Sequence, residues 1–327
     1  MSAATKRPTP AARSRRRSTA PIVIVAVLLV GAIVGLGVQY WRSFAAAAAE
    51  RAALLSRVET ELAKPDPSGD ELSQLVAQLQ KLPDHETARD LRAARARIEL
   101  ARDRPERAQA IFGNEATGPG ASPAEQGLGA AILLRMFEPG SGDAVAQKGM
   151  LLQALAAAGV AAADSRSAID EGNAWLAAVR LGDDAAAAQH AAALREHQPD
   201  SAMARLVELQ RTFDPKQDAN RVEDLCGDFP RRPAELEAMR ILVVLQSGEL
   251  EKAVAATEAL LARSAGVPSV RFAAALVFLA CAMTHPEGSP ARASWLERRD
   301  VQIEWLSTRL DPGDPRRAQA QALRTRR

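Results

Sequence analysis

The chain has 327 residues, of which 47% are apolar, 4% aromatic and 25% charged, and its formal net charge is +2. So few aromatic residues, with few β-branched residues after the first forty positions, argue against a β-sandwich or a β-barrel. Alanine, leucine, glutamate and arginine are abundant and favour helices, so we expect an all-α fold.

An uncharged apolar segment, residues 21–41, follows a basic N-terminal tail, residues 1–20, with six basic and no acidic residues. About 20 apolar residues cross the membrane core as one helix, and basic residues favour its cytoplasmic side. We therefore predict a single-pass helix in the cytoplasmic (inner) membrane, with Tyr40 and Trp41 at the interface and the rest of the chain outside. A cleaved signal peptide is the alternative, because alanines 45–49 offer a cleavage site, but its apolar run is usually shorter.

Two glycines in this segment, Gly31 and Gly35, form a GxxxG pattern. Small residues four apart let a second membrane helix approach closely. The pattern therefore suggests a homodimer, although glycine is common in membrane helices without pairing them.

Beyond the membrane segment, predicted helices alternate with short breakers that contain proline or glycine. Residues 42–64 are predicted to form a juxtamembrane stalk helix, and residues 312–327 a basic C-terminal tail. The exported domain, residues 70–311, is predicted to contain helices over residues 70–82, 84–102 with 105–112, 122–137 with 143–158, 164–181 with 183–197, 200–212 with 216–226, 233–246 with 249–263, and 268–284 with 289–310.

Residues 172–200 resemble a tetratricopeptide repeat. Gly182 matches the turn between the two helices, Ala187 the small residue of the second helix, and Pro199 the closing proline. Gly248 and Ala253 repeat the spacing of the glycine and the alanine, two repeat lengths further along the chain. Trp175 departs from the family pattern, because a small residue is usual there.

The resemblance implies an α-solenoid, in which helix pairs too small to bury their own apolar faces stack into a superhelix. The first helices of the pairs line its concave face, where a protein or peptide binds in this family. A different α-solenoid or an irregular helical bundle is the alternative.

The sequence shows no constellation for catalysis, for a metal or for a cofactor. His190 and His197 lie seven residues apart on one predicted helix, too far for a metal pair at i and i+4, and we expect both to be solvated. Cys226 and Cys281 are predicted to be separate thiols, because a whole helix pair lies between them and a disulfide needs close Cα atoms. We therefore expect no enzyme.

Charge is concentrated at the two ends of the chain. The last twelve residues carry five arginines and no acid, so that residues 21–315 have a net charge of −9. An acidic main body argues against nucleic-acid binding. The basic C-terminal tail is expected to be frayed and solvated, or to contact anionic lipid or an acidic partner.

These patterns predict a membrane-anchored scaffold whose groove binds a protein partner, with a role in envelope assembly, secretion or chaperoning. A self-associating structural protein is the second hypothesis, and an enzyme or sensor with an unrecognised pocket is the third. The residues expected to contact the partner, on the first helices of two pairs, are Met203, Leu206, Gln210 and Leu242.

Overall fold

A computed structural model describes residues 20–64, 67–140, 143–229, 231–310 and 312–325, with side chains at residue 36 and from residue 38 onward. Within these ranges the chain is helical and contains no strand, so the predicted all-α fold is confirmed. The contacts divide the chain into two compact units, whose boundary lies between Leu54 and Leu55.

The first helix, α1, runs without a break over Ala20–Leu62. The predicted membrane segment and the predicted stalk therefore belong to one helix, because no proline interrupts residues 22–64. Its described first part exposes five large apolar side chains, Leu36, Val38, Tyr40, Trp41 and Phe44.

Two predictions about the N-terminal region fall on undescribed parts of the chain. Residues 1–19, most of the basic tail, lie outside the described residues. The surroundings of Gly31 and Gly35 also lie outside them, so the GxxxG contact stays a prediction.

Short helices make up the second unit, and most begin at a serine, an aspartate or a proline. Ser122 and Glu125 form a capping box at one such start. The helices after α1 are α2 (Gly69–Leu79), α3 (Arg89–Ala101), α4 (Pro105–Ala108), α5 (Asn114–Ala116), α6 (Pro123–Phe137), α7 (Ala144–Ser165), α8 (Ala168–Leu181), α9 (Asp184–His197), α10 (Ala202–Thr212), α11 (Ala219–Asp228), α12 (Ala234–Gln246), α13 (Leu250–Ser264), α14 (Pro268–Met283), α15 (Pro290–Arg309) and α16 (Pro315–Thr325), with a π-helical turn over Gln109–Gly113.

Consecutive helices pack against each other, among them α6 with α7, α8 with α9, α12 with α13, and α14 with α15. One hydrophobic core runs continuously from α6 to α14, so neighbouring pairs share their buried faces. This arrangement is the stacked series of helix pairs that the sequence predicts.

The second unit also contains contacts between pairs that lie far apart in the chain. The backbone N–H of Gly266 donates to the carbonyl oxygen of Glu138 at 2.8 Å. A Cβ atom on Gly266 would lie 2.4 Å from the carbonyl oxygen of Phe137, so only glycine allows this approach. The guanidinium of Arg309 donates to Gln147 at 2.7 Å. Helices α6 and α7 are therefore joined to α14 and α15 as well as to their neighbours.

The C-terminal residues correct one prediction. Instead of a frayed tail, residues 315–325 form α16, whose Ala320 and Leu323 are buried against α14 and α15 in one apolar cluster. The three-residue spacing of these two side chains places both on one face of the helix. Arg316 pairs with Asp314 at the start of α16, so a basic composition is compatible with a docked helix.

Helix α7 is longer than predicted, because it continues through Gly159 to Ser165. Three alanines precede that glycine and three more follow Val160, and alanine favours the helix. The break comes only at Arg166, which has a φ of 49°. Within the part of the chain that the structure describes, α7 is the one helix whose length and hydropathy would suit a membrane span, and a third of its apolar window is buried. It packs between α6 and α8.

Candidate functional site

A polar cleft of the second unit has a volume of about 670 Å³ and is lined by α3, α6, α12 and α13, by the segment before α12 and by residues 62, 64 and 67. We call it the arginine cleft. Its charged lining residues are Lys64, Asp103, Arg135, Glu138, Arg231, Arg232, Glu237 and Arg263.

A second cavity of about 260 Å³ shares Arg135, Glu138, Arg231 and Arg232 with the arginine cleft, so the two spaces are adjacent. Its further lining is mainly apolar and comes from α6, α8 and α10. Met203 and Ile169 belong to this apolar end, and the Ile169 side chain is 72% exposed. A basic region and an apolar region are thus side by side.

A buried ion pair lies between α8 and α12 beside the cleft. Arg180 Nε donates to Glu235 Oε1 at 2.9 Å and Arg180 Nη2 to Glu235 Oε2 at 3.1 Å, and each side chain is 1% exposed. Arg180 Nη1 also donates to the carbonyl oxygen of Leu134 at 3.1 Å. Burial lowers the pKa of Arg180, but the carboxylates of Glu235 and Glu138 outweigh burial and raise it. Arg180 therefore stays charged, and its hydrogen bonds to Glu235 join two helices.

Glu138, at the end of α6, is shared by three guanidinium groups. Arg180 Nη2 lies 3.3 Å from Oε1, while Arg135 and Arg231 lie 3.5 Å and 3.6 Å from Oε2. The pKa of Arg135 is lowered to about 10, mainly by burial; Glu138 opposes this shift and the nearby Arg231 adds to it. Glu138 thus connects three arginines, two of which also pair with other carboxylates: Arg180 with Glu235 and Arg231 with Asp103.

The other arginines of the cleft have more exposed partners. Arg231 pairs with Asp103, which lies in the turn after α3. Arg232 and Arg263 both approach Glu237, at 3.5 Å and 3.8 Å. Since Lys64 also lines the cleft, five cationic and three anionic side chains give it an excess of positive charge.

The four residues predicted to contact a partner have different positions. Met203 lines the apolar end of the cleft. Leu206 is 0% exposed in the core, so the prediction that it contacts a partner is corrected: the helix turns this position inward. Gln210 is half-buried, and its Oε1 atom has no hydrogen-bond partner among the described residues. Leu242 is half-buried against the core.

The residues that carry the repeat resemblance are structural. Gly182 and Gly248 both take left-handed backbone conformations, with φ of 77° and 84°, in the turns after α8 and α12. Ala253 is completely buried, and Ala187 is half-buried against the core. Trp175 is buried in the core, and Pro199 lies in the exposed turn after α9.

The sequence analysis missed the charged residues of the cleft. One signal was available for Arg180, which is the only charged residue in the apolar run 172–182. Such a charge is buried only with a partner, but its partner Glu235 lies 55 residues away. No local pattern identifies Arg135, Glu138 and Arg231 as neighbours.

The histidines and cysteines have mainly structural positions. Among the described residues, no group of three or more His, Cys, Asp or Glu side chains could hold a metal ion. His190 is not solvated as expected: its Nδ1 lies 2.7 Å from Oε2 of the buried Glu171. Cys226 and Cys281 are free and buried, and burial raises the pKa of both thiols.

Comparison with known proteins identifies no family for the chain. No protein-family model matches the sequence, and no curated protein matches it. Among solved structures, the chain is similar to a tetratricopeptide repeat protein from Parabacteroides merdae, with 13% sequence identity and a TM-score of 0.40. That similarity covers 83% of this chain and 97% of the other.

Proposed function

We propose that this protein is a membrane-anchored scaffold without enzymatic activity, whose second unit binds a segment of a partner protein in the arginine cleft. The observation that carries the proposal is the origin of most of the lining: α3, α6, α8, α10 and α12, each the first helix of its pair, contribute to the cleft or its apolar end. The end of α13, the segment before α12 and residues 62, 64 and 67 complete the lining. The resemblance to tetratricopeptide repeats implies that first helices bind the partner.

The proposed location of the second unit is the outer side of the cytoplasmic membrane. The uncharged residues 21–41 and the basic residues before them support this orientation. The exposed apolar side chains at the end of this segment, Tyr40 and Trp41 among them, also suit a membrane interface. A role in envelope assembly, secretion or chaperoning is part of the proposal.

Photo-crosslinking in cells tests the site. A photoreactive amino acid placed at Met203 or Ile169 should crosslink one defined protein band, whereas the exposed positions Ala192 on α9 and Ala256 on α13 should not. Neither control residue lines the cleft or its apolar end, so both report contacts outside it. Crosslinks confined to Ala192 and Ala256 would refute the cleft as the binding site.

Self-association is a second candidate function, and one observation favours it. Helix α7 exposes Val145, Leu152 and Val160, which are 83%, 52% and 47% exposed. Large apolar side chains on one helix surface often mark contacts between proteins. Crosslinks from Leu152 to a second copy of the chain, together with none from Met203, would favour this function.

A further inference from the structure

The charge of the arginine cleft indicates the chemistry of the partner, and this inference rests on the proposed function. Five cationic and three anionic side chains line the cleft. Residues 21–315 as a whole carry a net charge of −9. The cleft is therefore positive within an acidic main body, and an anionic segment would be attracted to it more strongly than to the surrounding surface.

One guanidinium group of the cleft, that of Arg135, has only a long contact with a carboxylate, since its distance to Glu138 Oε2 is 3.5 Å. Arg231 lies 3.6 Å from the same oxygen and has its closer contact with Asp103. Charge-assisted hydrogen bonds of this kind are usually about 2.7–2.9 Å long. The pKa of Arg135 is lowered because burial and the neighbouring cations Arg231 and Arg180 make its charge unfavourable. A carboxylate of the partner beside Arg135 would form a shorter hydrogen bond and neutralise its charge.

Asp103 is the internal group that a carboxylate of the partner can replace. It pairs with Arg231 across the cleft, 128 residues along the chain, and its side chain is 60% exposed. Exposed ion pairs contribute little to stability, so exchanging this one is not costly. We propose that the cleft binds an acidic segment of the partner protein, and that a carboxylate of this segment replaces Asp103 as the ion-pair partner of Arg231.

The adjacent apolar cavity adds a second feature to the expected segment. Met203 and Ile169 lie at the apolar end, and Arg231 and Arg232 line both spaces. A segment that places a carboxylate at Arg231 would therefore bring a neighbouring side chain to this end. The preferred sequence combines glutamate or aspartate with a large apolar residue.

A synthetic peptide tests the charge requirement. The full-length chain in a mild detergent is titrated into a short fluorescent peptide that alternates glutamate and leucine, and into its glutamine–leucine counterpart, with anisotropy as the readout. We expect the glutamate peptide to bind at least about tenfold more tightly, and its affinity to fall as salt is added. Equal binding of the two peptides, or binding of neither, would overturn the inference.

Charge-matched variants test the exchange at Arg231. Asp103→Asn removes the competing carboxylate and keeps a side chain that tolerates the φ of 59° at this position, so the glutamate peptide should bind about threefold more tightly. Glu258→Gln removes one negative charge from an exposed pair outside the cleft and should leave the affinity unchanged. Tighter binding by Asp103→Asn would support the exchange, because partial unfolding of the variant could only weaken binding. An unchanged or weaker affinity would contradict the exchange.

Replacing single arginines tests whether the cations of the cleft bind the peptide. Arg231→Gln should weaken binding about tenfold, and Arg263→Gln, which changes a more exposed residue, should weaken it severalfold. Arg240→Gln, in an exposed pair outside the cleft, should bind like the parent. If inorganic phosphate binds at the cleft and the peptide does not compete, the site is one for small anions and the inference fails. In that case crosslinking from Met203 still decides the proposed function separately.

Discussion

Single residues decide whether the helices of the second unit fit together, and Arg180 is the clearest case. Its guanidinium is fully buried and is satisfied by Glu235, Glu138 and a backbone carbonyl. The isolated charge in an apolar helix could be noticed in the sequence. Its partners could not be identified from the sequence, because Glu138 and Glu235 lie 42 and 55 residues from Arg180 along the chain.

Replacing Arg180 should destabilise the fold strongly. Arg180→Met leaves the buried carboxylate of Glu235 without its partner, and we expect a loss of about 3–5 kcal/mol in the free energy of unfolding, measured by urea denaturation. The double variant with Glu235→Met should recover part of this loss, because no buried charge remains. Arg240→Met, in the exposed pair with Glu223, should cost under about 1 kcal/mol. Equal costs for Arg180→Met and Arg240→Met would contradict the role of the buried pair.

Asp314, at the start of α16, should make stability depend on acid pH. Burial raises its pKa, but hydrogen bonds from Arg316 outweigh burial and hold the pKa below its usual value. A lowered folded-state pKa contributes stability above the unfolded-state pKa of about 3.9, and this stability is lost as pH falls through the folded-state value.

The variant Asp314→Asn isolates this charge, because asparagine also caps helices well. It should be less stable than the parent at neutral pH, and thermal melts should show the difference shrinking below about pH 4. A difference that stays constant from neutral to acid pH would mean that the charge of Asp314 contributes nothing.

At the scale of elements, the sequence predicted most helices because their starts carry chemical signals. Serine caps at Ser122, Ser201 and Ser289, and the prolines after two of them, identify helix starts without tertiary contacts. The end of α7 was missed because glycine inside an alanine-rich stretch does not stop a helix. The helix α16 was missed because the arginines of the last twelve residues indicated a solvated tail, whereas Ala320 and Leu323 share a face that packs against α14 and α15.

Helix packing inside the pairs can be tested at two alanines. Ala253→Glu places a charge at a completely buried position on α13, and overpacking alone costs about 1–3 kcal/mol. Ala187→Glu, at a half-buried position on α9, should cost less. The exposed Ala322 on α16 is the control, and Ala322→Glu should melt at nearly the same temperature as the parent. Equal melting temperatures for all three variants would refute the packing of these two helices.

At the scale of the whole molecule, the cleft could be predicted only in outline. The expectation that first helices supply the binding surface placed Met203 at the cleft, while Leu206, less than one helical turn further on, lies in the core. A helix surface changes from exposed to buried within one or two residues, so the sequence cannot give the rotation of each helix. The arginines of the cleft come from segments about a hundred residues apart, for which the sequence shows no common pattern.

The orientation of the chain in the membrane is tested with a reporter. An enzyme active only outside the cytoplasm, fused after Arg327, should be active, because basic residues before the apolar segment keep the N-terminus inside. Neutralising Arg13, Arg15, Arg16 and Arg17 while adding arginines near Ala48 should reduce or invert this orientation. If only a reporter that is active in the cytoplasm gave a signal when fused after Arg327 of the unaltered protein, the proposed location would be refuted.

The contact between Gly266 and the end of α6 has a consequence for the order of folding. During synthesis, α6 and α8 emerge well before Glu235 and Gly266. The bidentate partner of Arg180 and the N–H that bonds the Glu138 carbonyl oxygen therefore come from the last third of the chain. Contacts at such long sequence separation slow folding, and incomplete chains expose apolar surface meanwhile. A chain stopped after α11 would therefore be a target for holding chaperones and proteases, whereas an array with only neighbour contacts would already be folded up to its last complete pair.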